Sequence, residues 1–166
     1  MSNKTPNEEE FIKLVSASQG IIHKICRLYC DDEEHRKDLL QEILVQLWNS
    51  FSSFRGDSKF SSWMYSVALN VAIQDFRKEK KRKLILFESY EFKASEPDHS
   101  TSAENEQLKA MYQAIAKLDK VEKAIILLYL EGSSNEEIAE IIGITQNYVR
   151  VKMNRIKQKI SKTVNQ

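Results

Sequence analysis

The chain has 166 residues, of which 42% are hydrophobic and 30% are charged, a composition typical of one globular domain or two small ones. Its apolar runs are much shorter than a membrane span, and its polar, acidic start does not resemble a secretory signal. We therefore expect a cytoplasmic protein without direct membrane insertion. The formal net charge of +1 neither indicates nor excludes a nucleic-acid partner.

The charged residues are segregated into blocks along the chain. Residues 77–83 carry six basic side chains and one acid, and residues 145–166 carry six basic side chains and no acid. Between these blocks, residues 88–106 carry six acids and one lysine. This asymmetry indicates two basic surfaces joined by an acidic connector.

The first half of the chain has helical periodicity. Apolar residues spaced three and four apart predict one helix over residues 11–29 and a second helix that begins at the acidic run 31–34 and has its predicted core positions from Leu40 to Phe51. The acidic run at 31–34 suits the positive end of the second helix dipole. The Ser-rich segment 52–62 is predicted to be a loop, and a third helix is predicted within residues 60–83.

The predicted third helix carries a polar strip on an otherwise apolar surface. On a helical wheel, four residues fall within roughly 80° of Ser66, namely Asn70, Gln74, Arg77 and Lys81. A helix extended back to Trp63 places the indole on the same strip, with Phe60 and Ser61 in the loop before it. Because rings stack on unpaired bases and amides read their exposed edges, we predict a surface for single-stranded nucleic acid. Burial of these aromatic rings in the core is the alternative.

The second half is also predicted to be helical. Residues 88–104 lack a sustained period and are predicted to be a flexible linker. Helices follow over residues 108–118, marked by the apolar positions Leu108, Met111, Ile115 and Leu118, and over residues 120–132, and no strand is predicted. The expected fold is all-α, with two small helical domains at 1–87 and 105–166.

Residues 132–160 have the spacing of a helix-turn-helix motif. Ser134 and Glu137 form a capping-box pattern at the start of a short helix, which Gly143 can end. Thr145 can cap the long basic helix that follows. The apolar stripe of that helix is Val149, Met153, Ile156 and Ile160.

The side of this helix away from the stripe is predicted to contact DNA. It carries Asn147, Tyr148, Arg150, Val151, Asn154 and Arg155. Asn and Arg match the hydrogen-bonding edges of adenine and guanine, and Val can contact a thymine methyl group. Lys157, Lys159 and Lys162 lie further along and are expected to contact phosphate. The alternative is a helical hairpin with a solvated basic face.

His23, Cys26 and Cys30 share one side of a predicted helix. Three such side chains could bind zinc, but no fourth ligand is evident nearby and the spacing does not match a standard finger. Core packing is therefore preferred, and no metal site or cofactor is predicted.

Three stretches resemble the extracytoplasmic-function (ECF) group of bacterial sigma factors: DLLQEILVQLW at 38–48, FRGDSKFSSWMYSVALNVAIQDFR at 54–77, and EEIAEIIGIT at 136–145. The resemblance covers nearly the whole chain. It implies a protein that binds core RNA polymerase and directs promoter recognition, DNA melting and transcription initiation. It also implies that the chain is not an enzyme.

The resemblance assigns a role to each predicted surface. The third helix and its preceding loop would capture the minus-ten element, and the recognition helix, with Thr145, would read the minus-thirty-five element. The acidic linker would pass through the RNA exit path of the polymerase. Docking to the polymerase would use Asp38, Gln41, Glu42 and Gln46.

The resemblance also implies an anti-sigma factor as a partner and a monomer in the free state. Two segments depart from the pattern of the group. Residues 117–123 lack the Pro and Arg often found there, and residues 146–148 read Gln-Asn-Tyr where a small residue and Thr are commoner. The second departure bears on which promoter sequence is read.

Two other classes of protein fit parts of the sequence. A helix-turn-helix regulator acting without being a sigma subunit would bind duplex DNA tightly in the absence of polymerase. A helical adaptor would bind neither DNA nor polymerase. The polar strip of the third helix favours the sigma factor, because a conventional regulator does not need to hold melted bases.

Overall fold

The computed structural model describes residues 8–74 and 102–165. Within these ranges the regular structure is entirely helical, which confirms the all-α prediction. The chain divides into two compact units, residues 1–95 and 96–166. No helix in the described part of the chain combines the length and the apolar character needed to cross a bilayer.

Over residues 8–74, the first unit contains four α-helices and one short 3-10 turn. These are α1 (Glu8–Ala17), α2 (Gln19–Tyr29), α3 (Glu33–Ser50), the turn at Phe51–Ser53, and α4 (Phe60–Ile73). Helices α2, α3 and α4 pack against one another and bury the core of this unit. Its fully buried side chains include Ile22, Ile25, Leu39, Ile43, Leu47, Met64 and Leu69.

The single helix predicted over residues 11–29 is two helices, because the chain leaves the helical path at Ser18. Its backbone angles are φ −116° and ψ 16°, and its N–H donates to the Val15 carbonyl at 3.1 Å. Ser18 and Gly20 both have lower helix propensity than alanine. Spacing alone misses this break, because apolar residues on both sides of Ser18 continue to face the core.

Helix α3 begins as predicted. Asp32 is its N-cap, and the Asp32 carboxylate accepts a hydrogen bond from the His35 N–H at 2.7 Å. The predicted core position Leu40 is only half-buried, whereas its neighbour Leu39 is fully buried. Because α3 packs against both α2 and α4, its buried face is wider than the stripe predicted from spacing.

Helix α4 differs from its prediction at both ends. It begins at Phe60, so Phe60 and Ser61 lie in its first turn and not in the preceding loop. It ends at Ile73, and Gln74 has extended backbone angles of φ −68° and ψ 150°. The predicted helical alignment of Gln74 with Asn70 is therefore wrong.

The second unit also contains four α-helices in its described part. They are α5 (Ser102–Ala116), α6 (Lys120–Leu130), α7 (Asn135–Ile142) and α8 (Gln146–Val164). Helix α8 packs against the other three, and its buried side chains are Val149, Met153 and Ile156.

Two sequence expectations about α5 differ from the structure. The helix begins at Ser102, so the last three residues of the predicted linker are helical. The sequence signal for this start is Thr101 followed three residues later by Glu104, which is capping-box spacing. Leu108, predicted to mark the apolar face, is 40% exposed, and the buried face begins at Ala114 and Ile115.

Glycine residues follow the C-terminal ends of α6 and α7. Gly132 (φ 89°) donates to the Tyr129 carbonyl while Ser133 donates to that of Leu128, each at 3.0 Å, which is a Schellman arrangement. Gly143 (φ 83°) ends α7, and the next residue donates to the Ala139 carbonyl at 3.0 Å. These left-handed residues set the direction in which α7 and α8 follow.

We expect Gly143→Ala to destabilise the chain by about 1–2 kcal/mol, because a left-handed alanine is strained. No atom lies within 4 Å of the added Cβ, so strain and not collision is the cause. Gly20→Ala is the control: Gly20 lies in α2 without a positive φ, and alanine there should stabilise by about 0.5 kcal/mol. Urea midpoints of the two variants moving in the same direction would contradict this explanation.

Candidate nucleic-acid interfaces

The helix-turn-helix of the second unit is fixed by side-chain caps at both of its helices. The Ser134 hydroxyl accepts from the Glu137 N–H at 3.1 Å, and the Glu137 carboxylate accepts from the Ser134 N–H at 3.3 Å. The predicted capping box is therefore confirmed. The Thr145 hydroxyl accepts from the Tyr148 N–H at 3.1 Å and caps α8. Helices α7 and α8 therefore both begin at a side-chain cap, and Gly143 lies in the turn between them.

The predicted DNA-contacting residues of α8 lie together on its solvent side. Every member of the set is exposed: Thr145, Asn147, Tyr148, Arg150, Val151, Asn154 and Arg155. The opposite side is closed by Val149, Met153 and Ile156. Of the predicted stripe, only Ile160 remains half-buried. Helix α8 therefore presents a polar, cationic face of about two turns on a rigid support.

Two contacts organise the exposed face of α8. The Arg150 guanidinium donates to the Asn147 side-chain oxygen at 2.9 Å, one turn earlier on the helix. The Lys152 ammonium lies 5.6 Å from the centre of the Tyr148 ring, within cation–π range. The Arg150–Asn147 bond holds both side chains over the same surface, where each still has donors to offer a base edge.

One flank of α8 is held by carboxylates of α6. The Lys159 ammonium donates to both oxygens of Glu122, at 2.7 and 2.9 Å. The Lys152 ammonium lies 3.3 Å from an Asp119 oxygen. The Lys159 side chain is nevertheless 52% exposed, so the expectation that it contacts phosphate stays a prediction.

Asp119 is both a helix cap and an ion-pair partner. Its carboxylate accepts from the Glu122 N–H at 2.8 Å at the start of α6. Desolvation acts to raise its pKa, but this hydrogen bond and the Lys152 ammonium outweigh it and hold the pKa of Asp119 below its usual range. Desolvation likewise opposes the shift at Lys152, where the Asp119 carboxylate raises the pKa of the ammonium. Both groups are therefore charged at neutral pH.

Aromatic rings form a connected cluster in the first unit. The Trp63 ring centre lies 5.3 Å from that of Phe54, 5.4 Å from Phe60 and 6.3 Å from Phe51. Phe51 in turn contacts Phe11 edge-to-face at 5.2 Å. Phe51 is buried, whereas Phe54, Phe60 and Trp63 are half-buried. The rings of the loop and of the start of α4 thus form the outer edge of a core cluster.

The predicted single-strand strip is only partly assembled in the described residues. Trp63 and Ser61 are half-buried and Asn70 is exposed, all on α4. Gln74 is exposed just beyond the end of the helix. Arg77 and Lys81 lie outside the described residues. Helix α4 therefore carries the half-buried Trp63 ring and the exposed Asn70 amide. The Trp63 ring belongs to the core cluster and also reaches the surface.

The four predicted docking residues lie on one face of α3. Asp38, Gln41, Glu42 and Gln46 are all half-buried, and their spacing of three and four residues is that of helix neighbours. Leu39, Ile43 and Leu47 of the same helix are fully buried and form part of its core face.

Cys26 and Cys30 are both buried, consistent with core packing. Burial, reinforced by the nearby Cys30, raises the pKa of the Cys26 thiol to about 12 despite the opposing charge of Arg36. Burial, together with the Arg27 charge, lowers the pKa of His23. Across residues 8–74 and 102–165, no three His, Cys, Asp or Glu side chains are grouped so as to hold a metal ion.

We expect Cys26 to be almost unreactive in the native protein. At pH 8, a thiol with a pKa of about 12 is ionised in roughly one molecule in ten thousand, and the thiolate is the reacting form. Titration with a chromogenic disulfide should therefore label Cys26 slowly before denaturation and rapidly afterwards, with a Cys30→Ser variant isolating its signal. Rapid native labelling of Cys26 in that variant would contradict the buried assignment.

Comparison with known proteins assigns both units. The family model for sigma-70 region 2 matches residues 14–82, and the model for sigma-70 region 4 matches residues 108–160. The ECF sigma factor SigX of Bacillus subtilis is 24% identical over 156 residues, covering 89% of this chain and 80% of its own. The ECF sigma-E factor of Haemophilus influenzae is 29% identical over 170 residues, covering 95% and 89%.

A solved structure supports the same fold. The sigma factor RpoE in complex with the anti-sigma factor NepR from Bartonella quintana superposes with a TM-score of 0.66 at 19% identity, covering 95% of this chain and 96% of that one. The helical units and the matched regions together define a sigma-70-type transcription factor. Within that class, the chain belongs to the extracytoplasmic-function group of RNA polymerase sigma factors.

Sequence reasoning missed the carboxylates that hold α8. Glu122 is the buried charged residue of the described core, and it precedes the buried Ile125 and Ile126 by three and four positions. An acid on the apolar face of a helix was the available signal, because such a group is buried only when it is paired. Sequence reasoning also missed Phe51 and Phe54 as neighbours of Trp63.

Proposed function

We propose that this chain binds core RNA polymerase and directs it to promoters, where it reads the minus-thirty-five element with α8 and captures melted minus-ten bases with α4. One observation carries the proposal: the exposed polar face of α8 is joined in one chain to a sigma-70 region 2 unit. A regulator that reads only duplex DNA needs the first feature and not the second.

The reading of duplex DNA is assigned to the exposed face of α8. Arg150 and Asn147 have side chains that can contact a guanine or adenine edge, and Val151 can contact a thymine methyl group. Tyr148, Asn154 and Arg155 flank them, while Thr145 caps the helix end that enters the groove. This arrangement matches the use of recognition-helix N-termini in helix-turn-helix proteins.

The capture of melted bases is assigned to the start and the exposed side of α4. Trp63 and Phe60 offer half-buried ring surfaces for stacking, and Asn70 offers an exposed amide. Ser61 and Gln74 add hydrogen-bonding groups near the two ends of the helix. Arg77 and Lys81 would contact the backbone of the strand.

Docking to core polymerase is assigned to α3, through Asp38, Gln41, Glu42 and Gln46. Equilibrium binding of the labelled chain to purified core polymerase tests the proposal, and we expect tight binding that Gln41→Ala together with Gln46→Ala weakens. A matched double variant on the exposed side of α8, Asn147→Ala with Asn154→Ala, should bind core normally. Failure of the unaltered chain to bind core would contradict the proposal.

The alternatives predict different results in the same experiments. A helix-turn-helix regulator would bind duplex DNA tightly without polymerase, and an adaptor would bind neither. We also propose an anti-sigma factor as a partner, because the Bartonella quintana neighbour was solved with one. The free chain is expected to be monomeric, and no catalytic activity of its own or cofactor is proposed.

A further inference from the structure

Glu122 is a buried carboxylate that contacts the recognition helix. Its side chain is 2% exposed, and the Lys159 ammonium donates to both of its oxygens, at 2.7 and 2.9 Å. The Lys152 ammonium lies 3.7 Å from the same carboxylate. One acid of α6 therefore interacts with two cations of α8.

Asp119 completes the group on the α6 side. The Lys152 ammonium is 3.3 Å from the Asp119 carboxylate, and the Lys152 side chain is only 15% exposed. Lys152 and Lys159 are seven residues apart, so they lie two turns apart on the same flank of α8. The N-cap acid Asp119 and the α6 acid Glu122 thus face two lysines of α8.

This pairing limits how α8 can move. A buried carboxylate is strongly disfavoured unless it is paired and hydrogen-bonded, so sliding or rotating α8 away from α6 would expose an uncompensated charge. Because the pairs lie on one flank of α8, they leave the face carrying Asn147, Arg150 and Val151 open. The contacts therefore fix the helix without covering its exposed surface.

The pairing also divides the basic residues of α8 into two groups. Lys152 and Lys159 are ion-paired with Asp119 and Glu122, with the Lys152 side chain 15% exposed and the Lys159 side chain 52% exposed. The other basic residues of the helix are Arg150, Arg155, Lys157 and Lys162. The six positive charges read from the sequence therefore overstate the charge that α8 can offer to DNA.

We propose that Asp119 and Glu122 act as positioning residues, an acidic clamp that fixes α8 by one flank and withholds Lys152 and Lys159 from the DNA backbone. The proposal rests on the proposed function, in which α8 reads duplex DNA. Withholding these lysines reduces sequence-independent attraction to phosphate and leaves discrimination to the exposed face. The clamp thereby favours specific over non-specific binding.

The salt dependence of DNA binding distinguishes withheld lysines from phosphate contacts. Each phosphate contact contributes about −0.9 to the slope of log Kobs against log salt concentration. Lys159→Gln should leave the slope unchanged, whereas Arg155→Gln, an equal charge change on the exposed face, should make it shallower by about 0.9. Glu122→Gln should release up to two lysines, steepening the slope by about 0.9 to 1.8 and reducing discrimination between matched and unrelated duplexes.

The experiment uses the full chain bound to core polymerase. The probes are a duplex enriched from a random-sequence pool by the unaltered holoenzyme and an unrelated duplex of equal length. The polymerase contributes equally to every slope, so differences belong to the chain. Thermal melting followed by circular dichroism shows which variants are folded, and Lys159→Gln decides the question if Glu122→Gln does not fold.

Three outcomes overturn the clamp. The first is a shallower slope for Lys159→Gln, equal to that of Arg155→Gln. The second is a folded Glu122→Gln with unchanged slope and unchanged discrimination. The third is an unaltered holoenzyme that enriches no sequence, in which case the proposed function fails and the clamp fails with it. An unchanged slope for Lys159→Gln, together with enrichment by the unaltered holoenzyme and a steeper slope for Glu122→Gln wherever that variant folds, supports the clamp.

Discussion

Replacing Trp63 with alanine is expected to reduce open-complex formation by roughly 5- to 150-fold while leaving binding to core polymerase nearly unchanged. Stacking on an aromatic side chain contributes about 1–3 kcal/mol per base, which corresponds to this range. Trp63 is half-buried, so part of its ring remains at the surface. Permanganate footprinting of unpaired thymines at the promoter measures the effect.

The control for Trp63 must separate stacking on DNA from packing in the core. The Trp63 ring contacts Phe54 at 5.3 Å and Phe51 at 6.3 Å, so its removal also loosens the aromatic cluster. Phe54→Leu disturbs the same cluster without replacing any residue of the predicted strip. Comparable melting defects in the two variants, with equal losses of thermal stability, would mean that Trp63 acts through the core.

Replacing Arg150 with alanine is expected to lower binding to the matched minus-thirty-five sequence by roughly 5- to 150-fold, relative to the same promoter with one base pair changed. This range corresponds to about 1–3 kcal/mol for a bidentate contact to a base. Arg150 is exposed and already oriented by its 2.9 Å hydrogen bond to Asn147. Competition binding of the holoenzyme to a panel of singly substituted promoters measures the discrimination.

Arg150→Lys is the matched control, because it keeps the charge and loses the planar fork of donors. It should lose most of the discrimination while keeping the salt dependence of the unaltered chain. A uniform loss of affinity for all sequences in Arg150→Ala, recovered by lysine, would instead make Arg150 a phosphate contact.

The second unit was predicted closely because its signals are local. Ser134 and Glu137 lie three residues apart, Gly143 follows the last apolar residue, and Thr145 precedes the basic helix; the structure has the corresponding cap, turn and cap. Each of these features depends on backbone groups within a few residues. Such contacts can be read from a sequence without knowing the tertiary fold.

The first unit was predicted less closely because its decisive contacts are distant in sequence. The break at Ser18 and the end of α4 at Ile73 interrupt patterns whose apolar spacing gives no sign of them. The position of Trp63 depends on Phe51 and Phe54, which lie in a turn and a loop whose path the spacing does not determine. Spacing predicted which side of α4 is polar. The packing of Phe51 and Phe54 against Trp63 determines how much of that side is exposed.

The Glu122 pair illustrates the same limit in the second unit. Lys159 is 37 residues away from Glu122 along the chain, so helical spacing within α8, which assigned this lysine to phosphate, gave no sign of the pair. Its partner became evident only when α6 and α8 were packed together. The six basic residues at 145–166 were counted correctly. The count did not show that two of them, Lys152 and Lys159, are paired with carboxylates.

The central claim is that the chain directs core polymerase to promoters. Transcription of genomic DNA in vitro by purified core polymerase, with and without the chain, followed by mapping of RNA 5′ ends, tests it most directly. We predict new start sites that appear only with the chain and share two upstream motifs at fixed spacing, with Arg150→Ala altering the use of the upstream motif. An unchanged set of start sites, together with tight duplex binding by the chain in the absence of polymerase, would contradict the claim.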